Sequence, residues 1–270
     1  MAVDAVHGDA ASGEARPVVT FRADGPVATI TIERPEARNA VNGAVAAGIE
    51  AAMDRLEEDD SLWVGILTGA GPVFSAGADL KVIASGEGAT LRTARGGFAG
   101  LVQRAREKPL VAAVDGPALA GGCELVLACD LVVASRTASF GLPEVKRSLV
   151  AAAGGLFRLP KALPRAVAME VLLTGDPLPA TRAYELGMVN VLTEPGEALA
   201  GATQLAARIV SAAPLAVRAT RRVALAALQD EEGPLFELSQ RTIAELAATE
   251  DFAEGPRAFI EKRPPRWQGR

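Results

Sequence analysis

Residues 117–144 read PALAGGCELVLACDLVVASRTASFGLPE, and this stretch carries the local signals from which the rest of the chain is interpreted. A turn of small residues ends in a pair of glycines at 121–122 and opens an apolar run of helical length. Glu124 lies in the first turn of that predicted helix, and Glu144 closes the stretch after a second turn. Carboxylates are costly to bury in apolar surroundings, so two of them here indicate a functional site.

The glycine pair at 121–122 has two possible explanations. Glycine lets another group approach the backbone closely, and the first N–H groups of a helix have no partner within it. With the helix dipole behind them, these donors favour negative charge and would suit an oxyanion. The alternative is a tight strand-to-helix turn with Glu124 in solvent, and local features leave both explanations open.

Composition sets broad limits on the class of protein. The 270 residues are enough for one large domain or two small ones, and 49% hydrophobic with 23% charged residues is typical of a globular chain. The net charge of −5 argues against a general surface for nucleic acid or anionic membrane. It leaves room for a local basic pocket that binds one phosphorylated ligand.

The cysteines and the single histidine exclude several kinds of site. Cys123 and Cys129 would point in different directions on a helix, so we predict unpaired thiols in a reducing, cytoplasmic location. His7 is the only histidine and lies in the N-terminal tail, which excludes histidine-based triads and His-rich metal sites, so no metal is predicted. Residues 1–16 lack the apolar core of a secretory signal and are predicted to be a disordered tail. No apolar run reaches membrane-spanning length.

The first half of the chain alternates predicted strands with predicted helices. Asn42 is a plausible helix cap before a stripe of apolar residues at helical spacing. The pattern predicts an α/β fold with a largely parallel sheet covered by helices. The predicted strands are 18–21 and 27–32, paired as a hairpin, followed by 64–67, 110–114 and 131–133.

Beyond residue 150 the pattern becomes mostly helical, with one strand predicted at 188–192. The glycine-rich segment 84–100 is predicted either to be mobile over a pocket or to be a plain surface loop. The predicted helices are 165–173, 180–186, 197–212, 214–229, 234–248 and 250–262.

Residues 120–144 resemble the enoyl-CoA hydratase/isomerase, or crotonase, superfamily, as do residues 74–80 and 33–41. The resemblance continues through residues 173–176, 183–189 and 254–256, and covers nearly the whole chain after the first sixteen residues or so. It implies a crotonase-like spiral core of ββα units over 17–200 and a C-terminal helical trimerisation region over 201–270. It also implies a homotrimer, or a hexamer that is a dimer of trimers.

The resemblance also implies a site for an acyl-CoA thioester. Backbone N–H groups of Ala78 and Gly121 match the family's oxyanion hole. Glu124 and Glu144 match the glutamates that hold the attacking water, with Glu144 delivering the α-proton and Glu124 orienting and activating water.

Coenzyme A enters as part of the substrate, so no separate cofactor is expected. The positions that match the family's coenzyme A site are Ala37 and Arg38 near the phosphates, Ala76, Asp79 and Leu80 near the adenine and pantetheine, and Phe259 and Lys262. The resemblance implies that Phe259 and Lys262 reach the nucleotide bound to a neighbouring subunit. Their spacing of three residues predicts that they lie on one face of a helix.

Two departures from the family pattern bear on substrate class more than on reaction type. Ala151 and Ala152 stand where hydratases of the family usually have proline and glycine, although alanine keeps the backbone N–H thought to help hold the water. Leu142 replaces a common polar residue. Because both glutamates are present, general enoyl-CoA hydration is the first hypothesis.

Other activities of the same fold are weighed against it. A double-bond isomerase needs only one glutamate, and a dehalogenase needs a histidine near the site. C-terminal residues 254–263 and 267–270, together with residues 142–144, resemble carnitinyl-CoA dehydratases, which hydrate crotonobetainyl-CoA. The predicted acyl segment 81–100 offers a quaternary ammonium only Phe98 and Glu87. A non-catalytic acyl-CoA binder is disfavoured by the intact glutamates, and an RNA-associated homologue by the negative charge.

Overall fold

The computed structural model describes residues 17–228 and 232–270, and the side chains at 232–239 and 259 are outside that description. The predicted tail, residues 1–16 with His7, also lies outside the described residues.

Eleven strands are formed within the described residues. In chain order they are β1 (Val19–Asp24), β2 (Val27–Ile32), β3 (Val64–Gly69), β4 (Arg92–Thr93), β5 (Gly97–Phe98), β6 (Leu110–Val114), β7 (Pro117–Leu119), β8 (Leu131–Ser135), β9 (Ser139–Gly141), β10 (Leu178–Pro179) and β11 (Val191–Thr193).

Ten α-helices accompany these strands in the described part of the chain. They are α1 (Gly43–Glu58), α2 (Leu80–Ala84), α3 (Gly121–Ala128), α4 (Gly155–Ala162), α5 (Arg165–Thr174), α6 (Ala180–Glu185), α7 (Ala198–Val210), α8 (Pro214–Ala226), α9 (Glu232–Ala247) and α10 (Glu250–Ile260). Short 3-10 helices lie at Pro35–Ala37, Gly88–Leu91 and Pro143–Arg147.

The main sheet has six strands in the order β1-β2-β3-β6-β8-β11. β1 and β2 form the predicted antiparallel hairpin around Gly25, whose φ of +53° suits glycine. Every other pairing in this sheet is parallel. The prediction of a largely parallel sheet is confirmed, and all five residues of β6 are buried because helices cover both faces.

A second sheet shows why the core is a spiral. It has the order β10-β9-β7, and the chain passes from β6 to β7 and later from β8 to β9, so successive turns supply one strand to each sheet. After β3, Ser75 makes a parallel bridge to Ala118 of β7, which adds an earlier turn to the same layer. This alternation is the spiral of strand-strand-helix units that the resemblance implies.

Helix α7 closes the face of the main sheet opposite α1. Its Ala202, Leu205 and Ala206 pack with buried side chains of β3 and β6, including Val64 and Val111. The predicted boundary at residue 200 therefore falls within a helix that packs on the sheet, and the division at that point stays a prediction. Among the described residues no single helix is long and apolar enough to cross a membrane, and only the pair α7 and α8, bent by 103°, reaches that length together.

Several local predictions need correction. Segment 84–100 forms a 3-10 helix and the β4-β5 hairpin, and the strand predicted at 188–192 begins at Val191. A further strand beyond residue 150, β10, pairs with β9; it has only two residues and gives no periodic signal. Helix α4 was not predicted because Pro160 lies inside it. The helix predicted to reach residue 262 ends at Ile260.

Candidate active site

A cavity of about 780 Å³ opens where the N-terminus of α3 meets the 74–80 loop and the 3-10 helix Pro143–Arg147. Its lining includes all four predicted catalytic residues, Ala78, Gly121, Glu124 and Glu144. Residues that are distant in the sequence are thus brought to one place by the spiral.

Glycines allow the 74–80 loop to lie directly against α3. A Cβ added at Gly122 would lie 2.2 Å from the Ser75 carbonyl oxygen, and one at Gly77 would lie 2.7 Å from the Gly121 nitrogen. Gly77 also has a φ of +88°, a region that side chains rarely adopt. Only glycine fits at these positions, and the close approach places Ala78 beside the start of α3.

The two predicted oxyanion donors are the backbone N–H groups of Ala78 and Gly121. Val41 and Ala78 form a parallel β-bridge. The Val41 N–H donates to the Gly77 carbonyl at 2.8 Å, and the Val41 carbonyl accepts from the Asp79 N–H at 2.8 Å. The Ala78 N–H, which lies between these two bonds along the chain, therefore points away from Val41. Gly121 is the first residue of α3, where the N–H has no partner inside the helix. Both donors belong to cavity-lining residues, which suits them to bind an oxyanion.

Backbone strain occurs immediately before the Gly121 donor. Ala120 has φ 50° and ψ −127°, an unfavourable combination for a residue with a Cβ. Its N–H donates to the Gly141 carbonyl at 2.8 Å, and its carbonyl accepts from the Glu124 N–H at 3.1 Å. These bonds hold the strained turn in place, and such strain is characteristic of functional sites.

Glu124 is buried and well supplied with hydrogen-bond donors. Glu124 is only 4% exposed. Its Oε1 accepts a hydrogen bond at 3.0 Å from the N–H of Gly155, the first residue of α4. Burial raises the pKa of Glu124, while backbone donors at Gly155 and Ala153 and the positive charge of Arg158 oppose that rise. The helix N-terminus also favours the charged carboxylate.

Glu144 has a different environment. It lies in the first turn of the 3-10 helix, and its buried Oε2 has no hydrogen-bond partner within residues 17–228 and 232–270. Burial raises the pKa of Glu144, and the negative charge of Glu124 raises it further. The pKa of each carboxyl is therefore raised above its ordinary value, and the two interact closely enough to titrate as a pair.

Four of the predicted coenzyme A positions line the same cavity: Arg38, Ala76, Asp79 and Leu80. The Asp79 carboxylate is already partnered. Arg34 donates to it through both terminal nitrogens at 3.2 Å, and its other oxygen accepts from the Lys81 N–H as the cap of α2. These contacts order the loop that carries Ala76 and Ala78.

The other three predicted coenzyme A positions are not among the described residues that line the cavity. Ala37 ends the 3-10 helix Pro35–Ala37 without lining it. Lys262 is exposed and has a φ of 54°, beyond the end of α10, so the prediction that it shares a helical face with residue 259 is wrong. The side chain of Phe259 lies outside the described residues.

The predicted acyl segment 81–100 contributes to the wall of the cavity. Phe98 was named, and its ring covers Gly121, where an added Cβ would lie 2.5 Å from two ring carbons. Glu87, named with it, does not line the cavity. Three further residues of the segment line the cavity without having been named: Ile83, Leu91 and Arg92. Outside the segment, sequence reasoning missed Leu119, Leu149 and Val150.

The Ala151-Ala152 departure has a structural consequence. The Ala152 N–H donates to the Val150 carbonyl at 2.9 Å, so it is already partnered. The backbone donors that reach Glu124 come instead from Ala153 and Gly155. In this structure the water-holding role considered for Ala152 is not available to its N–H.

Neither thiols nor metal ligands contribute to the site as described. Cys123 and Cys129 are unpaired, as predicted, and burial raises the pKa of both thiols, that of Cys129 to about 12. No group of three potential metal-ligating side chains occurs among the described residues.

Comparisons with known proteins identify the family and the fold of the chain. The family model described as enoyl-CoA hydratase/isomerase matches residues 22–270. A carnitinyl-CoA dehydratase of Salmonella typhimurium is 40% identical over 253 residues, which cover 92% of this chain and 97% of that protein. The crystal structure of an enoyl-CoA hydratase from Mycobacterium tuberculosis H37Rv is 49% identical, with a TM-score of 0.91 over 94% of this chain and all of its own. A carnitinyl-CoA hydratase from Mycobacterium avium is 46% identical, with a TM-score of 0.75 over 95% of this chain and all of its own.

Proposed function

The chain belongs to the enoyl-CoA hydratase/isomerase family, and from that premise we propose that it adds water across the 2,3 double bond of an enoyl-CoA thioester. One observation carries the proposal. Two carboxyls with raised pKa, Glu124 and Glu144, line one cavity with the backbone of Ala78 and Gly121. An isomerase needs only one such carboxyl, whereas addition of water uses both.

The geometry suits each step of the addition. Attack of water on the β-carbon moves electron density onto the thioester oxygen, which the N–H groups of Ala78 and Gly121 would stabilise. Ionised Glu124 takes a proton from water as the new C–O bond forms. Protonated Glu144 gives its proton to the α-carbon, and exchange with solvent restores the resting pair.

The acyl end of the cavity supports a neutral, apolar chain. Its wall carries Ile83, Leu91 and Phe98, and Arg92 lies on the same wall. Apolar surface is buried favourably against an alkyl chain, whereas a cationic group would have to lie near a guanidinium.

Hydration of crotonobetainyl-CoA is the second candidate, because relatives 40% identical to this chain are named carnitinyl-CoA dehydratase. A quaternary ammonium is normally held by aromatic faces or carboxylates. Phe98 is the one aromatic side chain among the described cavity residues, and Asp79 is occupied by Arg34. These features favour the neutral substrate over the cationic one.

The deciding experiment compares crotonyl-CoA and crotonobetainyl-CoA with the wild-type protein, using mass spectrometry to identify products. We expect hydration of both or of crotonyl-CoA alone, with the larger kcat/KM for crotonyl-CoA. Glu124→Gln and Glu144→Gln should each lower kcat by about 10²–10⁴-fold while a CoA ligand still binds. Glu170→Gln is the matched control, since Glu170 is exposed and pairs with Arg182 away from the cavity.

Other outcomes would replace the proposal. A product with a shifted double bond and no added water, together with an unchanged kcat in Glu124→Gln, would identify an isomerase. A larger kcat/KM for crotonobetainyl-CoA would identify the second candidate. CoA-ester binding with no turnover of any enoyl-CoA would identify a non-catalytic binder.

A further inference from the structure

Arg158 lies behind the Glu124 side of the site and has unusual partners for a cation. It is half-buried in α4, and its Nη2 donates to the Val102 carbonyl at 2.6 Å. Its Nη1 lies 3.5 Å from the Ala153 carbonyl. Carbonyls satisfy its donors without neutralising its charge, and no carboxylate within the described ranges lies at salt-bridge distance from it.

The guanidinium lies directly beneath the loop that holds Glu124. A Cβ added at Gly154 would lie 2.5 Å from Arg158 Nη1, and Gly154 has a φ of +115°. The neighbouring Ala153 and Gly155 supply the backbone donors to the Glu124 carboxylate. The same side chain therefore supports the donors and carries a positive charge behind them.

The charged groups near Arg158 and Glu124 together determine how readily Glu124 ionises. Arg158 interacts electrostatically with Arg106, Glu124 and the thiol of Cys129, and Glu124 is the carboxyl in that set. Besides Arg158, the exposed Arg92 interacts electrostatically with Glu124. The negative charge of Glu124 also acts on the Glu144 carboxyl and on the Cys123 thiol. A partly buried charge is screened less than an exposed one, so Arg158 acts more strongly than Arg92.

We propose that Arg158 is a positioning residue for the hydration reaction, which supplies the counter-charge that keeps Glu124 ionised while the neighbouring Glu144 holds the proton. Arg158 does not line the cavity, so it acts through Glu124 and the 153–155 loop. The inference rests on the proposed function, because it assigns the division of roles between the two carboxyls.

The pH dependence of kcat/KM separates this role from a purely structural one. Loss of the positive charge in Arg158→Gln or Arg158→Met removes an influence that lowers the pKa of Glu124. The acidic limb of the profile should then move to higher pH, with activity partly recovered above it. Arg158→Lys keeps the charge and should leave the limb in place even if its kcat falls. Arg182→Gln, an exposed arginine paired with Glu170, is the control.

A second measurement does not depend on turnover. Infrared spectroscopy can follow protonation of Glu124 through its carboxylic acid C=O stretch, which is assigned as the band that Glu124→Gln lacks. The band is titrated against pH in the wild type and in each Arg158 variant. We expect the midpoint pH of this titration to rise in the uncharged variants and to stay unchanged in Arg158→Lys. Wild-type protein that hydrates no enoyl-CoA would defeat the proposed function while leaving this titration to decide the role of Arg158.

Two results would overturn the inference. One is an uncharged variant that folds, as judged by circular dichroism, and loses activity equally at every pH with an unmoved carboxyl midpoint. The other is an Arg158→Lys protein in which the acidic limb of the kcat/KM profile moves although the positive charge is retained. If the uncharged variants do not fold, this second result alone would overturn the inference.

Discussion

The spiral core and the C-terminal helices α8–α10 are held together by different forces. In the core, strands such as β6 are buried along their full length, and backbone segments meet at glycines. Among the described contacts of the C-terminal helices, several are made by charged groups. Arg221 of α8 donates to Asp130 at 2.9 Å and to the Arg106 carbonyl at 2.6 Å, and Arg222 pairs with Glu245 of α9.

Exposed apolar side chains do not separate the two regions. The core exposes Val150 and Leu173, and the C-terminal region exposes Leu228 and Ile260, which is 77% exposed. What separates them is close backbone packing, which the core uses to fix atoms around one cavity. The difference teaches that the candidate chemistry belongs to the region where backbone segments meet at glycines.

The largest expected effect is at Gly121, where core packing is tightest around a catalytic group. Gly121→Ala places a methyl 2.5 Å from the Phe98 ring and should displace the oxyanion donor, lowering kcat by about 10²-fold. Stopped-flow hydration assays measure this loss.

Adding Phe98→Leu to Gly121→Ala should restore part of the lost kcat, because the smaller side chain makes room. Phe98→Leu alone is the control, with an effect mainly on KM. A Gly121→Ala enzyme with wild-type kcat would show that the core does not fix this donor.

A smaller effect is expected at Gly155, which touches the other side of the site. An added Cβ would lie 2.8 Å from Leu142 Cδ1 and 3.2 Å from Glu124 Oε1, so Gly155→Ala should shift the carboxylate by a few tenths of an ångström. We expect kcat to fall about tenfold. Leu156→Ala, at an exposed position in the same helix, should leave kcat unchanged. Equal losses in both variants would point to α4 stability rather than to Glu124.

Two carboxyls, one in each region, should make stability depend on pH with opposite signs. The pKa of Glu144 in the core is raised by burial, so the folded protein loses stability as pH rises above the ordinary value of 4.5 towards the raised pKa. Glu144→Gln should therefore raise Tm at neutral pH and not at acid pH, by about 2–4 °C for each kcal/mol gained.

Glu254 in α10 provides the opposite case. Arg263 holds both of its oxygens and lowers its pKa to about 2, so its contribution is present above pH 4.5 and is lost as pH falls towards 2. Glu254→Gln should lower Tm at neutral pH, by a small amount because surface ion pairs contribute little. Calorimetry of both variants across pH tests the pair, and Tm changes of the same sign at neutral pH would contradict it.

The smallest effect on catalysis is expected in the C-terminal region, where we propose a homotrimer that pairs into a hexamer, as the family resemblance implies. Lys262 lies away from the cavity of its own chain, so contact with a neighbour's CoA nucleotide would need assembly. Lys262→Ala should weaken CoA binding severalfold with kcat nearly unchanged. Lys161→Ala, at another exposed lysine, is the control. Light scattering gives the mass, and a stable, active monomer would contradict both assembly and the shared site.

Much of the fold and site could be predicted from local signals. The hairpin at Gly25, the Asn42 cap and the opening of α3 follow from turn chemistry, capping and apolar periodicity, and the structure has each of them, including the Asn42 side chain accepting from the Val45 N–H at 2.9 Å. The family resemblance supplied the four catalytic positions, which the structure places in one cavity. The errors fall on short or irregular pieces, such as β10 and the end of α10, where too few residues carry a periodic signal.

By itself, the sequence determined that strands and helices alternate, that glycines precede Glu124 and that two carboxyls occur in apolar surroundings. Only the tertiary structure decided that Gly155 would donate to Glu124 from 31 residues away, that Arg34 would occupy Asp79, and that Arg158 would lie behind the Glu124 loop. Such contacts join segments whose separation in the chain is unrelated to the helical and strand periods. They are fixed by how the turns of the spiral pack, because burial and the need to satisfy buried polar groups act on the whole chain at once.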